Sequence, residues 1–223
     1  MKIVCLLFEE LTALDAIGPY EVLSRIPGAD FTFAGKQRGV VRSDSRALGL
    51  CVDAALDEIA QCDLLLVPGG FGARKACSDA DLLSSIRALD KSSQITASVC
   101  TGSILLGAAG LLSGRRATTH WAYMAQLAER GAHAVSERYV RDGKYASSAG
   151  VSAGIDLALA LVLELFGREV AESIQLSIEY DPAPPLSAGR PDQVSPALRE
   201  RLYRRSHARD RELAPCAHAR ARW

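Results

Sequence analysis

The sequence predicts an α/β domain, built as one mainly parallel β-sheet covered by helices on both faces. Apolar runs of strand length alternate with helical patterns from residue 3 to residue 112, and that alternation is the signature of parallel strands joined by helical crossovers. An apolar strand also runs through Cys100 directly into a helical pattern, a connection such sheets use for reactive side chains. The 223 residues, 48% hydrophobic and 23% charged, can bury one sizeable core and match the usual length of a single domain.

In chain order, residues 3–8 read as a strand, 19–25 as a helix and 31–34 as a strand. Residues 39–52, where Val and Leu are interrupted by Arg, Ser and Gly, read as a β-hairpin or arm at the sheet edge. Strands at 63–67 and 95–99 then alternate with helices at 81–89 and 103–112. Beyond them come a strand at 117–119, a helix at 122–130, and a strand pair, 134–140 and 144–147, turning at Asp142-Gly143. In the helix at 152–166 (SAGIDLALALVLELF), Ala and Leu surround the axis, so it is expected to be buried on more than one side, against the sheet, a neighbouring subunit or both. From Asp181 the stretch DPAPPLSAGRPDQVSP carries five prolines, so the core is expected to end near Tyr180. The domain is bounded at residues 1–185, and 186–223 are expected to be a partly disordered Pro-rich, then Arg-rich, extension.

The formal net charge is zero but uneven: residues 199–222 hold eight arginines against Glu200, Asp210 and Glu212, which puts about +5 on the tail and about −5 on the rest. Without interleaved aromatics or a binding motif, this tail reads as a solvated segment rather than a nucleic-acid or membrane arm. The six cysteines include no C-x-x-C pair and no histidine at zinc-ligand spacing, so neither a disulfide framework nor a metal site is expected. The apolar run in MKIVCLLFEE is too short for a signal peptide, and no later run is long enough to span a bilayer. A reduced, cytoplasmic protein is the expectation.

The chemistry centres on Cys100. At a strand-to-helix elbow its side chain stands at the carboxyl end of the sheet, where open α/β sheets bind ligands, beside the free N–H groups and positive end of the helix. Small neighbours suit such a turn, and the Thr101 hydroxyl could donate to the sulfur. Cys5, Cys51, Cys62, Cys77 and Cys216 lack this context and read as structural or incidental. The glycine-rich loop after the strand at 63–67 could aim the N–H groups of Gly69, Gly70 and Phe71 at a developing anion, or could simply be a tight turn after Pro68. Glu9, Glu10, Asp15 and Glu21 lie in or near the first βα connection, where Asp15, ahead of Gly18-Pro19, also reads as a helix cap. His120 in Thr118-Thr-His-Trp121 is either a base for Cys100 or a strand-end cap, and His133 has no evident partner.

Together these stretches resemble the ThiJ/PfpI superfamily over roughly residues 1–185. The resemblance rests on LDAIGPYEVL (14–23), LLLVPGGFG (64–72), SVCTGSILLGAAGLLSGRRATTHW (98–121), SAGVSAGIDLAL (148–159) and EYDPAPP (179–185), which look most like the branch that hydrates isonitriles. It implies a flavodoxin-like three-layer sandwich of the class I glutamine amidotransferase kind, a homodimer, and no metal or organic cofactor. It also implies Cys100 as nucleophile, Thr101 beside it, Asp15 as the acid/base, Glu21 as a helix residue, and Gly150 and Val151 near the site. The intracellular-protease branch carries a histidine directly after the nucleophile, where this chain has Thr101, so that dyad is absent. The activity so implied is hydration of an isonitrile to an N-substituted formamide through a thioimidate on Cys100. Two alternatives accompany it: the ligand-sensing domain of a transcriptional regulator, for which only about forty residues remain to form a DNA-binding unit, and a glyoxalase-like or deglycase-like cysteine enzyme or thiol redox sensor.

Overall fold

The computed structural model describes residues 1–212. The first half supplies strands β1 (Lys2–Leu6), β2 (Asp30–Gly35), β3 (Gly39–Arg42), β4 (Gly49–Val52), β5 (Ala54–Ala55), β6 (Leu64–Val67) and β7 (Ile95–Val99), with helices α1 (Ala13–Leu23), α2 (Ala73–Ala76), α3 (Ala80–Ser92) and α4 (Gly102–Ala108). The second half adds β8 (Arg116–Ala117), α5 (Met124–Glu129), β9 (His133–Ala134), β10 (Tyr139–Asp142), β11 (Tyr145–Ser148), α6 (Ala153–Phe166) and α7 (Arg168–Ser177). Contacts divide the chain into two compact units, Met1–Asp181 and Pro182–Trp223. In the second unit, helix α8 (Pro196–Glu212) forms where the sequence suggested no element.

Seven strands form the main sheet in the order β10-β11-β7-β6-β1-β2-β5. Every neighbouring pair is parallel except β10–β11, which turn back on each other at Gly143. β6 and β7 are buried at every residue, as strands covered on both faces must be. Helices pack in two groups, α1 with α6 and α7, and α2 and α3 with α4 and α5, which yields the expected α/β sandwich. Helix α3 shows the local logic: the Asp79 side chain accepts from the Leu82 N–H at 3.1 Å as its cap, and Leu82, Ile86 and Leu89 repeat at helical spacing to bury one face.

Three expectations need correction. Helix α1 begins at Ala13, six residues before Pro19, so Asp15 sits in its first turn instead of capping a helix at Gly18-Pro19. The helix tolerates Pro19 because its ring packs on α6: a Cβ at Gly154 would lie 3.0 Å from Pro19 Cγ, and one at Gly18 would lie 3.0 Å from Ile155 Cγ1. The hairpin β3–β4 is present but forms a separate two-stranded sheet; β5 takes the edge beside β2, and Ser43 in the hairpin bridges to Leu11 in the first βα loop. The strand expected over 134–140 is two short ones, β9 pairing with β8 and β10 joining the main sheet.

Helix α6 buries Ala153, Gly154, Leu157, Ala158, Leu161 and Val162, while Leu163, Leu165 and Phe166 near its end are exposed. Among the described residues, no helix is long and apolar enough to cross a membrane, and no cluster of side chains is arranged to hold a metal ion.

Candidate active site

β1 and β6 are neighbours in the sheet, but the chain leaves β1 toward β2 on one side and reaches β6 on the other. Such a reversal opens a crevice at the carboxyl ends of the strands. Asp15 follows β1, Gly69 and Gly70 follow β6, and Cys100 follows β7, so all converge on that crevice.

Cys100 has φ +55°, a left-handed conformation that costs a non-glycine residue about 1–3 kcal/mol and persists only when its surroundings enforce it. The enforcement comes from both of its peptide groups. Its N–H donates to the Ala149 carbonyl at 2.9 Å and the Ser148 carbonyl at 3.1 Å. Its carbonyl accepts from the Thr119 hydroxyl at 2.9 Å and the Ser103 hydroxyl at 3.1 Å. The next turn has no room for a side chain, since a Cβ at Gly102 would lie 2.0 Å from the Val67 carbonyl oxygen. Cys100 is almost wholly buried, and the backbone N–H groups of Val151 and Thr101 favour its thiolate.

Asp15 is fully buried. Its Oδ2 accepts from the Gly69 N–H at 2.9 Å, and its buried Oδ1 has no hydrogen-bond partner. Burial raises the carboxyl to about 7; the Gly69 N–H and the thiol oppose that rise, and the nearby Asp44 charge adds to it. Cys100 is itself raised well above the ordinary thiol range, first by burial and then by the Asp15 charge, against the two backbone N–H groups that favour thiolate. Two acids in one dry space cannot both ionise, so each holds the other toward its neutral form.

The remaining expected residues take more specific places. The Thr101 hydroxyl does not serve the sulfur: it accepts from the Gly70 N–H at 2.9 Å and approaches the Gly70 carbonyl at 3.2 Å, locking the glycine loop to the elbow. Two of the suggested anion donors are thereby occupied, Gly69 by Asp15 and Gly70 by Thr101, and Phe71 has an interaction of its own. Gly70, at φ +129°, must be glycine, because a Cβ there would meet the Thr12 nitrogen at 2.3 Å. Val151, whose N–H favours the Cys100 thiolate, is strained too, at φ +24°. Gly150 lies beside it under the His120 ring.

His120 is largely buried and pushed down to about 4 by that burial, and its Nδ1 accepts from the Ala122 N–H at 3.3 Å. It is therefore neutral at neutral pH. Glu9 accepts from the Arg42 N–H, Glu10 pairs with Arg46, and Glu21 pairs with Arg25, leaving Asp15 as the first-loop carboxyl at the sulfur. Four residues went unnoticed in the sequence: Thr119 and Ser103, which clamp the elbow carbonyl, and Thr12 and Asp44, joined at 2.7 Å, which fasten the hairpin turn to the start of α1. Of these, Thr119 directly precedes His120, which the sequence did single out. The other described cysteines are free; burial raises Cys5, Cys62 and Cys77, and Cys51 is exposed.

Residues 1–164 match the DJ-1/PfpI family. The chain is 41% identical to the isonitrile hydratase of Pseudomonas putida over 206 residues, covering 92% of this chain and 90% of that protein. It is also 35% identical to the HTH-type transcriptional regulator CdhR of Pseudomonas aeruginosa, over 61% of this chain but 40% of the regulator. Among solved structures, a ThiJ/PfpI family protein from Pseudomonas syringae superposes with a TM-score of 0.89 at 34% identity, covering 94% of this chain and 89% of the other. Drosophila melanogaster DJ-1beta, at 22% identity and a TM-score of 0.73, shares the fold. With the family match spanning most of the chain and a relative 41% identical over nearly its whole length, the chain belongs to the DJ-1/PfpI family.

Proposed function

We propose that this protein hydrates isonitriles to N-substituted formamides, with Cys100 as nucleophile and Asp15 as the group that carries the proton. The observation that carries the proposal is the buried thiol–carboxyl pair at the elbow, in a chain 41% identical to an isonitrile hydratase over nearly its whole length.

The terminal carbon of R–N≡C must gain both a proton and a nucleophile. A thiol and a carboxylate sharing one proton supply both. Asp15 takes the proton from Sγ and passes it to that carbon while the sulfur bonds to the same atom, giving the thioimidate R–N=CH–S and a regenerated carboxylate. Asp15 then takes a proton from water as the hydroxyl adds to the carbon and passes that proton to the nitrogen, and the hydroxyl proton afterwards returns through Asp15 to the departing sulfur. The C–S bond breaks, releasing R–NH–CHO and the thiol. The Val151 and Thr101 N–H groups steady the sulfur whenever it bears charge.

The committed loop donors favour this substrate over an α-oxoaldehyde. Attack on an aldehyde develops an oxyanion at once, and the Gly69 and Gly70 N–H groups are already engaged. Thioimidate formation develops none. A redox-sensor role is also less well supported, because sensing thiols are accessible and low in pKa, whereas Cys100 is buried and raised. Because α6 ends in the exposed Leu163, Leu165 and Phe166, the homodimer implied by the family resemblance is proposed to cover that face. Incubating the purified protein with p-nitrophenyl isocyanide and, separately, with methylglyoxal tests the reading: formamide from the first and no turnover of the second is expected. Turnover of methylglyoxal alone would replace this substrate class with the other.

A further inference from the structure

Segment 118–121 contacts both the elbow and the segment that leads into the 149–151 turn. The Thr118 N–H donates to Ser147 Oγ at 2.9 Å, on the strand leading to the 149–151 turn. The Thr119 hydroxyl holds the Cys100 carbonyl at 2.9 Å. The His120 ring covers Gly150 so closely that a Cβ there would lie 2.9 Å from His120 Cδ2. The Trp121 and Tyr123 rings flank the His120 ring at 5.6 and 5.8 Å between centroids, and its Nδ1 accepts from the Ala122 N–H at 3.3 Å. The turn it covers matters to Cys100 twice: the Ala149 carbonyl accepts from the Cys100 N–H at 2.9 Å, and the Val151 N–H, on a backbone held at φ +24°, favours the thiolate against its burial.

We infer that His120 is a positioning residue, whose ring presses the Gly150–Val151 turn into the strained form that aims the Val151 N–H at the Cys100 sulfur. It acts by its shape and place, not as a base. Its neutral state fits that role, since an uncharged imidazole with Nδ1 engaged offers the thiolate no counter-charge. The inference rests on Cys100 being the nucleophile and is independent of the substrate.

The test is the pH dependence of Cys100 alkylation by iodoacetamide, followed on the Cys100 peptide so that exposed Cys51 does not contribute. Losing the Val151 donor disfavours thiolate, so the alkylation midpoint moves up. His120→Gln, which removes the ring, is expected to raise it by about one pH unit, a roughly tenfold slower reaction at any pH below the midpoint. His120→Phe keeps the ring and removes both nitrogens, and is expected to restore the wild-type midpoint. Gly150→Ala should raise the midpoint through its clash with the ring. His120→Gln with no shift, or His120→Phe as impaired as His120→Gln, would overturn the inference, the latter by showing that the nitrogens do the work. Since alkylation needs no isonitrile, failure of hydration with these shifts intact would reject the substrate and keep the positioning role.

Discussion

At the scale of single residues, the protein spends stability to keep Asp15 poised. An ordinary carboxyl ionises near 3.8, and Asp15 in the fold does so at about 7. Between those values the folded state holds a proton that the unfolded chain has released, so stability falls as pH rises from about 4 to about 7 and then levels off. The full difference corresponds to about 4 kcal/mol. Asp15→Asn keeps the acceptor for the Gly69 N–H and removes the titration, so it is expected to be more stable than wild type at pH 8, by up to that amount, with the gap closing toward pH 4. Thermal melts of the two proteins across pH check this, and a gap that does not narrow on acidification would mean the carboxyl is not held protonated. His120 contributes a slope of the other sign: its folded value near 4 lies below the ordinary 6.5, so stability is lost as pH falls through that interval. In activity, Asp15→Asn is expected to lose at least about a hundredfold, the scale of a missing proton carrier.

At the scale of elements, the site depends on how closely loops approach one another. Gly70→Ala would force a Cβ into the Thr12 nitrogen and demand φ +129° of an alanine, so a loss of about 2–4 kcal/mol in denaturant unfolding is expected, alongside lost activity. Wild-type stability in that variant would show that the loop can shift away. The same closeness explains what the sequence revealed and what it hid. β1, β6, β7 and the elbow were legible because apolar runs and small residues carry local signals. The start of α1 was misplaced because Pro19 normally opens a helix, whereas here packing of Pro19 against Gly154 outweighs its missing N–H. The partners of the Gly69 and Gly70 N–H groups were invisible because they sit 54 and 31 residues away, at Asp15 and Thr101, and no local pattern encodes such pairings. The Thr101 hydroxyl, expected at the sulfur, bonds to the glycine loop instead.

At the scale of the whole molecule, the Asp15–Cys100 pair, the glycine loop, the 149–151 turn and the 118–121 segment all lie within Met1–Asp181. A chain ending at Asp181 keeps the Tyr180 hydroxyl on Asp156 at 2.8 Å, and is expected to retain activity within about twofold and a cooperative melt. Loss of the site on that truncation would assign the Arg-rich extension a part in the chemistry. The central claim is that the sulfur of Cys100 bonds to the isonitrile carbon. Acid-quenching the enzyme during turnover of p-nitrophenyl isocyanide and weighing the Cys100 peptide tests it most directly. The expected result is an adduct equal in mass to one whole isonitrile, because S–H adds across the carbon with nothing lost, and neither adduct nor formamide in Cys100→Ala. Formamide production by Cys100→Ala at the wild-type rate would contradict it.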